Sequence, residues 1–151
     1  MGNIFNQDFQ DFINSLNKFN VDYLLVGGYA VILRGYNRTT GDMDIWVNKT
    51  QENYKKLVEA FYQFGLSVSD MTESNFLTNS NFDVFTYGRP PVSIDIMTAV
   101  KGLTFTEAYS KKEVYDFEGL TINLISKSDL LVAKKAANRL KDLNDIEHLG
   151  E

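Results

Sequence analysis

Two acids separated by one residue, Asp42 and Asp44, stand in the run Asp42-Met43-Asp44-Ile45-Trp46-Val47. Its period-two alternation puts Met43, Ile45 and Val47 on one face of a strand and Asp42, Asp44 and Trp46 on the other. Both carboxylates then project from the same side and converge on one point. Such a pair binds a hard cation such as Mg²⁺, which keeps several waters and takes one or two carboxylates plus phosphate oxygens. The pair Gly27-Gly28, separated from Asp42 by thirteen residues, closes a β-branched and aromatic run. Lacking Cβ, these glycines let backbone N–H groups approach an anion at a helix N-terminus. A third carboxylate, Asp95, lies between Ile94 and Ile96. It reads either as a member of the same site or as an outward-facing residue of a half-solvated strand, with Asp83 as a competing choice.

The elements that must position these residues follow from periodicity. Phe9, Phe12, Ile13, Leu16 and Phe19 recur at helical steps and predict a helix over residues 7–19, and residues 21–26 read as a strand. A short helix over 29–33 and a polar loop lead to the strand Asp42–Val47. Thr50 caps a helix that carries Tyr54, Leu57, Val58, Phe61 and Phe64 and stops at Gly65. Residues 67–80 read as irregular. Residues 82–87 and 92–97 form a hairpin around Gly88-Arg89-Pro90-Pro91, followed by a short helix over 104–110 and a second hairpin, 113–117 with 120–125, around Glu118-Gly119. Ser126-Lys127-Ser128-Asp129 is a capping-box variant opening a helix to about residue 141, and 142–149 form a last short helix. Strands and hairpins between helices predict a single α+β domain over residues 1–151 with a mixed sheet flanked by helices.

Composition narrows the function classes. The chain has 151 residues, 44% of them apolar, enough for one packed core. With no cysteine there is no disulfide, thiolate metal site or Cys nucleophile, so chemistry must run through carboxylates, hydroxyls, amines or bound metal. Fifteen Lys plus Arg against twenty Asp plus Glu leave a net charge of -5, a poor balance for duplex DNA, whose affinity rests on many cations meeting phosphates. The start lacks a basic n-region and no long apolar run occurs, so the expectation is a cytoplasmic protein that does not span a membrane. Trp46 and Tyr36 read as packing aromatics or base-stacking ones, Lys135, Arg139 and Lys141 as a solvated face, and the lone His148 as incidental.

The ordered set Gly27-Gly28, Asp42-x-Asp44 and Asp95 resembles the motif of the DNA polymerase β-like nucleotidyltransferase superfamily: Gly-Gly or Gly-Ser after the first strand, Asp-x-Asp or Asp-x-Glu on the second, and a later strand carboxylate. The stretch from Tyr36 to Ile45 is similar to the Arg-x-Thr-x-Asp-x-Asp run of small prokaryotic members, with Arg38 and Thr40 at the matching offsets. Lys134 through Arg139, Lys141-Asp142 and Asp145-Ile146 are similar to their C-terminal pattern. The resemblance implies the polymerase β-like fold and metal-dependent transfer of a nucleoside monophosphate from an NTP, ATP among them, to a hydroxyl, with release of pyrophosphate. It implies Asp42 and Asp44 as ligands of two Mg²⁺ ions, with Mn²⁺ as a substitute. Asp95 would ligate the ion that activates the acceptor hydroxyl, or take its proton.

Gly27, Gly28, Arg38, Thr40 and Lys134 are placed to serve the triphosphate. Lys134 lies between Leu130 and Leu131 on the helical wheel, and the alternative is that it snorkels past them. Relatives of this size include enzymes that modify lincosamide or aminoglycoside antibiotics and components of toxin–antitoxin pairs. The acceptor is thus a small molecule such as an antibiotic, or a protein or tRNA. A chain this short leaves little room for an acceptor domain, which favours a small acceptor, a partner chain or a homodimer. The alternative function is a nucleotide- or protein-binding module without turnover.

Overall fold

Helix ends in this chain are set by short polar side chains. In a computed structural model that describes residues 6–36, 41–89 and 92–149, the Asn6 side chain accepts from the Phe9 N–H and starts α1 (Gln7–Lys18), which buries Phe9, Phe12, Ile13 and Leu16. Thr50 caps α3 (Gln51–Phe64) in the same way, and Gly65, with φ of +92°, ends it. Between them run β1 (Tyr23–Val26), α2 (Gly27–Leu33) and β2 (Asp42–Val47).

The stretch expected to be irregular contains α4 (Glu73–Leu77). Thr72 caps it, and its one buried residue, Phe76, packs its ring on Tyr54. A five-residue helix with one apolar anchor leaves no periodic signal. The hairpin β3 (Val84–Arg89) with β4 (Val92–Met97) continues through Gly88 and Arg89, which were expected in its turn; cross-strand pairing with Ser93 and Val92 holds them in the ladder. Next come α5 (Phe105–Ser110) and the hairpin of β5 (Glu113–Phe117) with β6 (Leu120–Leu124).

The C-terminal helix does not run on to residue 141. It ends as α6 (Lys127–Ala137) at Asn138, which is left-handed with φ of +51°, and the chain restarts as α7 (Leu140–Leu149). Asn is among the residues that tolerate this backbone, and Asp142 accepts the Arg139 N–H at 3.1 Å, which re-nucleates the helix. At the start of α6 only half of the capping box forms: Ser126 accepts from the Asp129 N–H, while the Asp129 carboxylate turns to Lys111 at 3.0 Å.

The strands form one mixed sheet in the order β3-β4-β2-β1-β6-β5, with β2·β4 and β1·β6 parallel and the other pairs antiparallel. This is the α+β architecture expected. On one face lie α1 and α3, where Phe12 meets Phe61 and Phe64 edge-on and Phe61 meets Tyr87. Met43, Ile45, Ile94 and Ile96 share that face by alternation and are buried. The other face carries Asp42, Asp44 and Trp46, and α5 covers Trp46 through Phe105 at 5.2 Å. Among the described residues no helix is long and apolar enough to cross a membrane.

Candidate active site

The site is built by strand register. The parallel pairing of β2 with β4 sets Asp42 beside Ser93, Asp44 beside Asp95 and Trp46 beside Met97. The antiparallel pairing of β3 with β4 sets Thr86 beside Asp95, and that of β1 with β2 sets Val26 beside Asp44. One row across the sheet therefore reads Thr86, Asp95, Asp44, Val26, with Asp42 and Ser93 one step along. All three predicted carboxylates meet on one face, and Asp95 rather than Asp83 is the third, since Asp83 precedes β3.

Val26 ends β1, so the chain leaves the sheet at Gly27, immediately under Asp44. Gly27 has φ of +68°, and a Cβ there would collide with Oδ2 of Asp44. Both the backbone angle and the close approach require glycine. Gly28 is buried in the first turn of α2, whose N-cap, Val26, offers no side-chain acceptor.

Electrostatics in this cluster are uncompensated. Burial pushes the Asp44 carboxyl up to about 7, the charge and hydrogen bond of Asp95 and the charge of Asp42 push the same way, and only Lys134 opposes them. Thr86 donates its hydroxyl to Asp95 Oδ1 at 2.8 Å, and Ser93 donates to Asp42 Oδ1 at 2.7 Å. Among the described residues no group of three or more His, Cys, Asp or Glu side chains forms a ready-made metal cage. The donor set nonetheless suits a hard divalent ion. Oxygen ligands from neighbouring carboxylates, crowded enough to hold one of them up to about 7, lack the positive charge that such an ion brings.

Beside Asp44 opens a pocket of about 350 Å³, lined by Gly27 and Asp44, by Met97, Ala99, Val100 and Lys101, and by Leu130 and Lys134 of α6. Lys134 thus reaches this cleft, as its place on the helix suggested. It is 5% exposed, and its Nζ lies 3.3 Å from Asp142 and 3.2 Å from Asp145, both buried on α7. Arg139 is exposed, as expected of a solvated face, and grips Asp142 with Nε at 2.6 Å and Nη2 at 3.1 Å while also lining the pocket. The helix break at Asn138 is what folds these acids back over Lys134.

Arg38 and Thr40 lie outside the described residues. Trp46 is a packing residue, 1% exposed. Tyr36 and His148 stack on each other at 3.9 Å, and His148 Nδ1 donates to the Asn144 carbonyl of its own helix at 2.8 Å. The site residues that sequence reasoning missed are Thr86 and Ser93. Their only signal was a hydroxyl at an alternating strand position, which acquires meaning once the register is known.

The fold is one mixed sheet with carboxylates from two neighbouring strands on one face, and the same fold recurs in solved nucleotidyltransferases. The lincosamide antibiotic adenylyltransferase LnuA, solved with lincomycin bound, is similar at 16% identity and a TM-score of 0.60 over 99% of each chain. ANT(2")-Ia in complex with adenylyl-2"-tobramycin matches at 15% identity and a TM-score of 0.61, over 93% of this chain and 84% of that one. An antigenic nucleotidyltransferase-like protein from Paracoccidioides brasiliensis matches at 15% and 0.59, over 93% and 72%. At these identities the likeness is one of fold. No curated protein matches the chain in sequence. A family model described as a nucleotidyltransferase of unknown function (DUF6036) matches residues 6–150, and the chain belongs to that family. It is a nucleotidyltransferase.

Proposed function

We propose that this chain transfers a nucleoside monophosphate from an NTP to a hydroxyl of a small acceptor, with a divalent ion held by Asp42, Asp44 and Asp95. The observation that carries the reading is the register pair Asp44–Asp95 with Gly27 beneath it, a site that neither strand makes alone. The acceptor oxygen attacks the α-phosphorus, the bond from that phosphorus to the bridging oxygen breaks, and pyrophosphate leaves. Mg²⁺, with Mn²⁺ as a substitute, would supply charge neutralisation at the phosphoryl oxygens and a lowered hydroxyl pKa. Asp95, nearest the open edge strand, ligates on the acceptor side or receives the hydroxyl proton. Backbone N–H groups at Gly27 and Gly28 face the phosphates, with Arg38 and Thr40 as further donors. Lys134 and Arg139, fixed by their acids on α7, line the pocket where the phosphates would lie.

Support for a small acceptor comes from size. LnuA, solved with lincomycin bound, is similar in fold over 99% of each chain, and its acceptor is a small molecule. One chain supplies all three carboxylates. An NTP donor places the reaction in the cytoplasm, and the adenylyl relatives make ATP the first donor to try.

The test is calorimetric titration with a non-hydrolysable ATP analogue, with and without Mg²⁺, on wild type and Asp44→Asn. Binding that needs Mg²⁺ and disappears in Asp44→Asn supports the site and opens an acceptor screen, antibiotics before proteins and tRNA. Full metal-dependent binding by Asp44→Asn would sink the reading.

A further inference from the structure

We propose that Ser93 and Thr86 are positioning residues which hold Asp42 and Asp95 in place for the divalent ion. The inference rests on the metal-assisted reading above and deepens it. Both hydroxyls sit on the strand next to the acid they serve and on the same face, at cross-strand pairing positions. Neighbouring strands are about 4.8 Å apart, so a one-carbon hydroxyl side chain spans the gap without bending the ladder. A carboxylate can only accept, so in each pair the hydroxyl proton points at the acid, at 2.7 Å from Ser93 and 2.8 Å from Thr86.

The three acids divide by how they are held. Asp44, at the centre, has Val26 as its β1 partner, Gly27 beneath it and a hydrogen bond with Asp95 beside it. Asp42 and Asp95 flank it, and a carboxylate that nothing holds turns readily about its Cβ–Cγ bond. A hydroxyl fixed to Oδ1 removes that freedom before the ion arrives, so ordering the ligands costs less on binding. Ser93 is 3% exposed, and a buried hydroxyl needs such a partner in any case. Thr86 is the sharper indicator: it lies on the edge strand in contact with solvent, where water would satisfy it, yet it turns to Asp95.

The experiment is calorimetric titration of Mn²⁺ into the protein mixed with the α,β-methylene analogue of ATP, with the heat of Mn²⁺ binding to the analogue alone subtracted. Wild type binds Mn²⁺, Thr86→Val and Ser93→Ala bind it about tenfold more weakly, and Thr86→Ser, which restores the hydroxyl, binds as wild type does. In an Asp95→Asn background Thr86→Val has no further effect, because it acts only through that carboxylate. The thermal midpoint of metal-free Thr86→Val stays at the wild-type value. Unchanged Mn²⁺ affinity in Thr86→Val overturns the proposal, and so does an undiminished loss in the Asp95→Asn background. If Ser93→Ala fails to fold, the Thr86 series decides alone. Absence of Mn²⁺ binding by wild type overturns the metal-assisted reading and this inference with it, whereas wild-type binding with indifferent hydroxyl variants overturns only the inference.

Discussion

Gly27 leaves open the space that the Asp44 carboxylate occupies. The glycine allows the turn out of β1, with φ of +68°, and its missing side chain is the space that Oδ2 of Asp44 occupies. Gly27→Ala adds both a left-handed backbone penalty, about 1–2 kcal/mol, and a collision that must push Asp44 away. Two effects are expected together: a lower urea midpoint, and loss of metal-dependent binding of the ATP analogue. Gly65→Ala, at φ of +92° with nothing within 4 Å of its Cβ position, is the control. It is expected to lose stability alone and to keep the binding.

At the scale of elements, the α6–α7 corner decides what Lys134 can do. A lysine buried between two acids on the next helix is a structural cation as much as a ligand for phosphate. Lys134→Met takes from buried Asp142 and Asp145 the ammonium that lies 3.3 and 3.2 Å from them, and removal of one member of such a cluster costs about 3–5 kcal/mol. The expected result in urea denaturation is a large loss of stability even without nucleotide. A fall in nucleotide affinity with unchanged stability would instead mark Lys134 as a ligand alone. The corner itself turns on Asn138 at φ of +51°. Asn138→Gly is expected to fold as stably as wild type, and Asn138→Ala to lose about 1 kcal/mol. Both are measurable by the same denaturation curves.

For the whole molecule, acid stability follows from the same corner. Burial pushes the Asp142 carboxyl up, but hydrogen bonds from the Arg139 side chain and backbone, with the charges of Lys134 and Arg139, outweigh it and hold the group below its ordinary range. Because the folded value lies below the unfolded one, the stabilisation is full above the ordinary carboxylate range, near about 4, and is lost as pH falls through the lowered folded value. Denaturation midpoints measured against pH are expected to drop on the acid side for wild type. Asp142→Asn is expected to start lower at neutral pH and to show a shallower acid limb.

The sequence by itself determined most of the elements and the pairing of Asp42 with Asp44. Burial of a repeating apolar stripe needs no knowledge of the partner surface, so α1, α3 and β2 could be placed from Phe9 to Leu16, Leu57 to Phe61 and Met43 to Val47. Asp42 and Asp44 could be paired because a strand alternates whatever it lies beside. A resemblance in motif order added Asp95 and the class of reaction. Only the tertiary structure decided between Asp95 and Asp83, brought Thr86 and Ser93 to the carboxylates, and turned Asp142 and Asp145 onto Lys134. Each of those depends on strand register or on a helix break, and both are set by pairing between segments far apart in the chain. A local pattern carries no information about which residue will stand opposite.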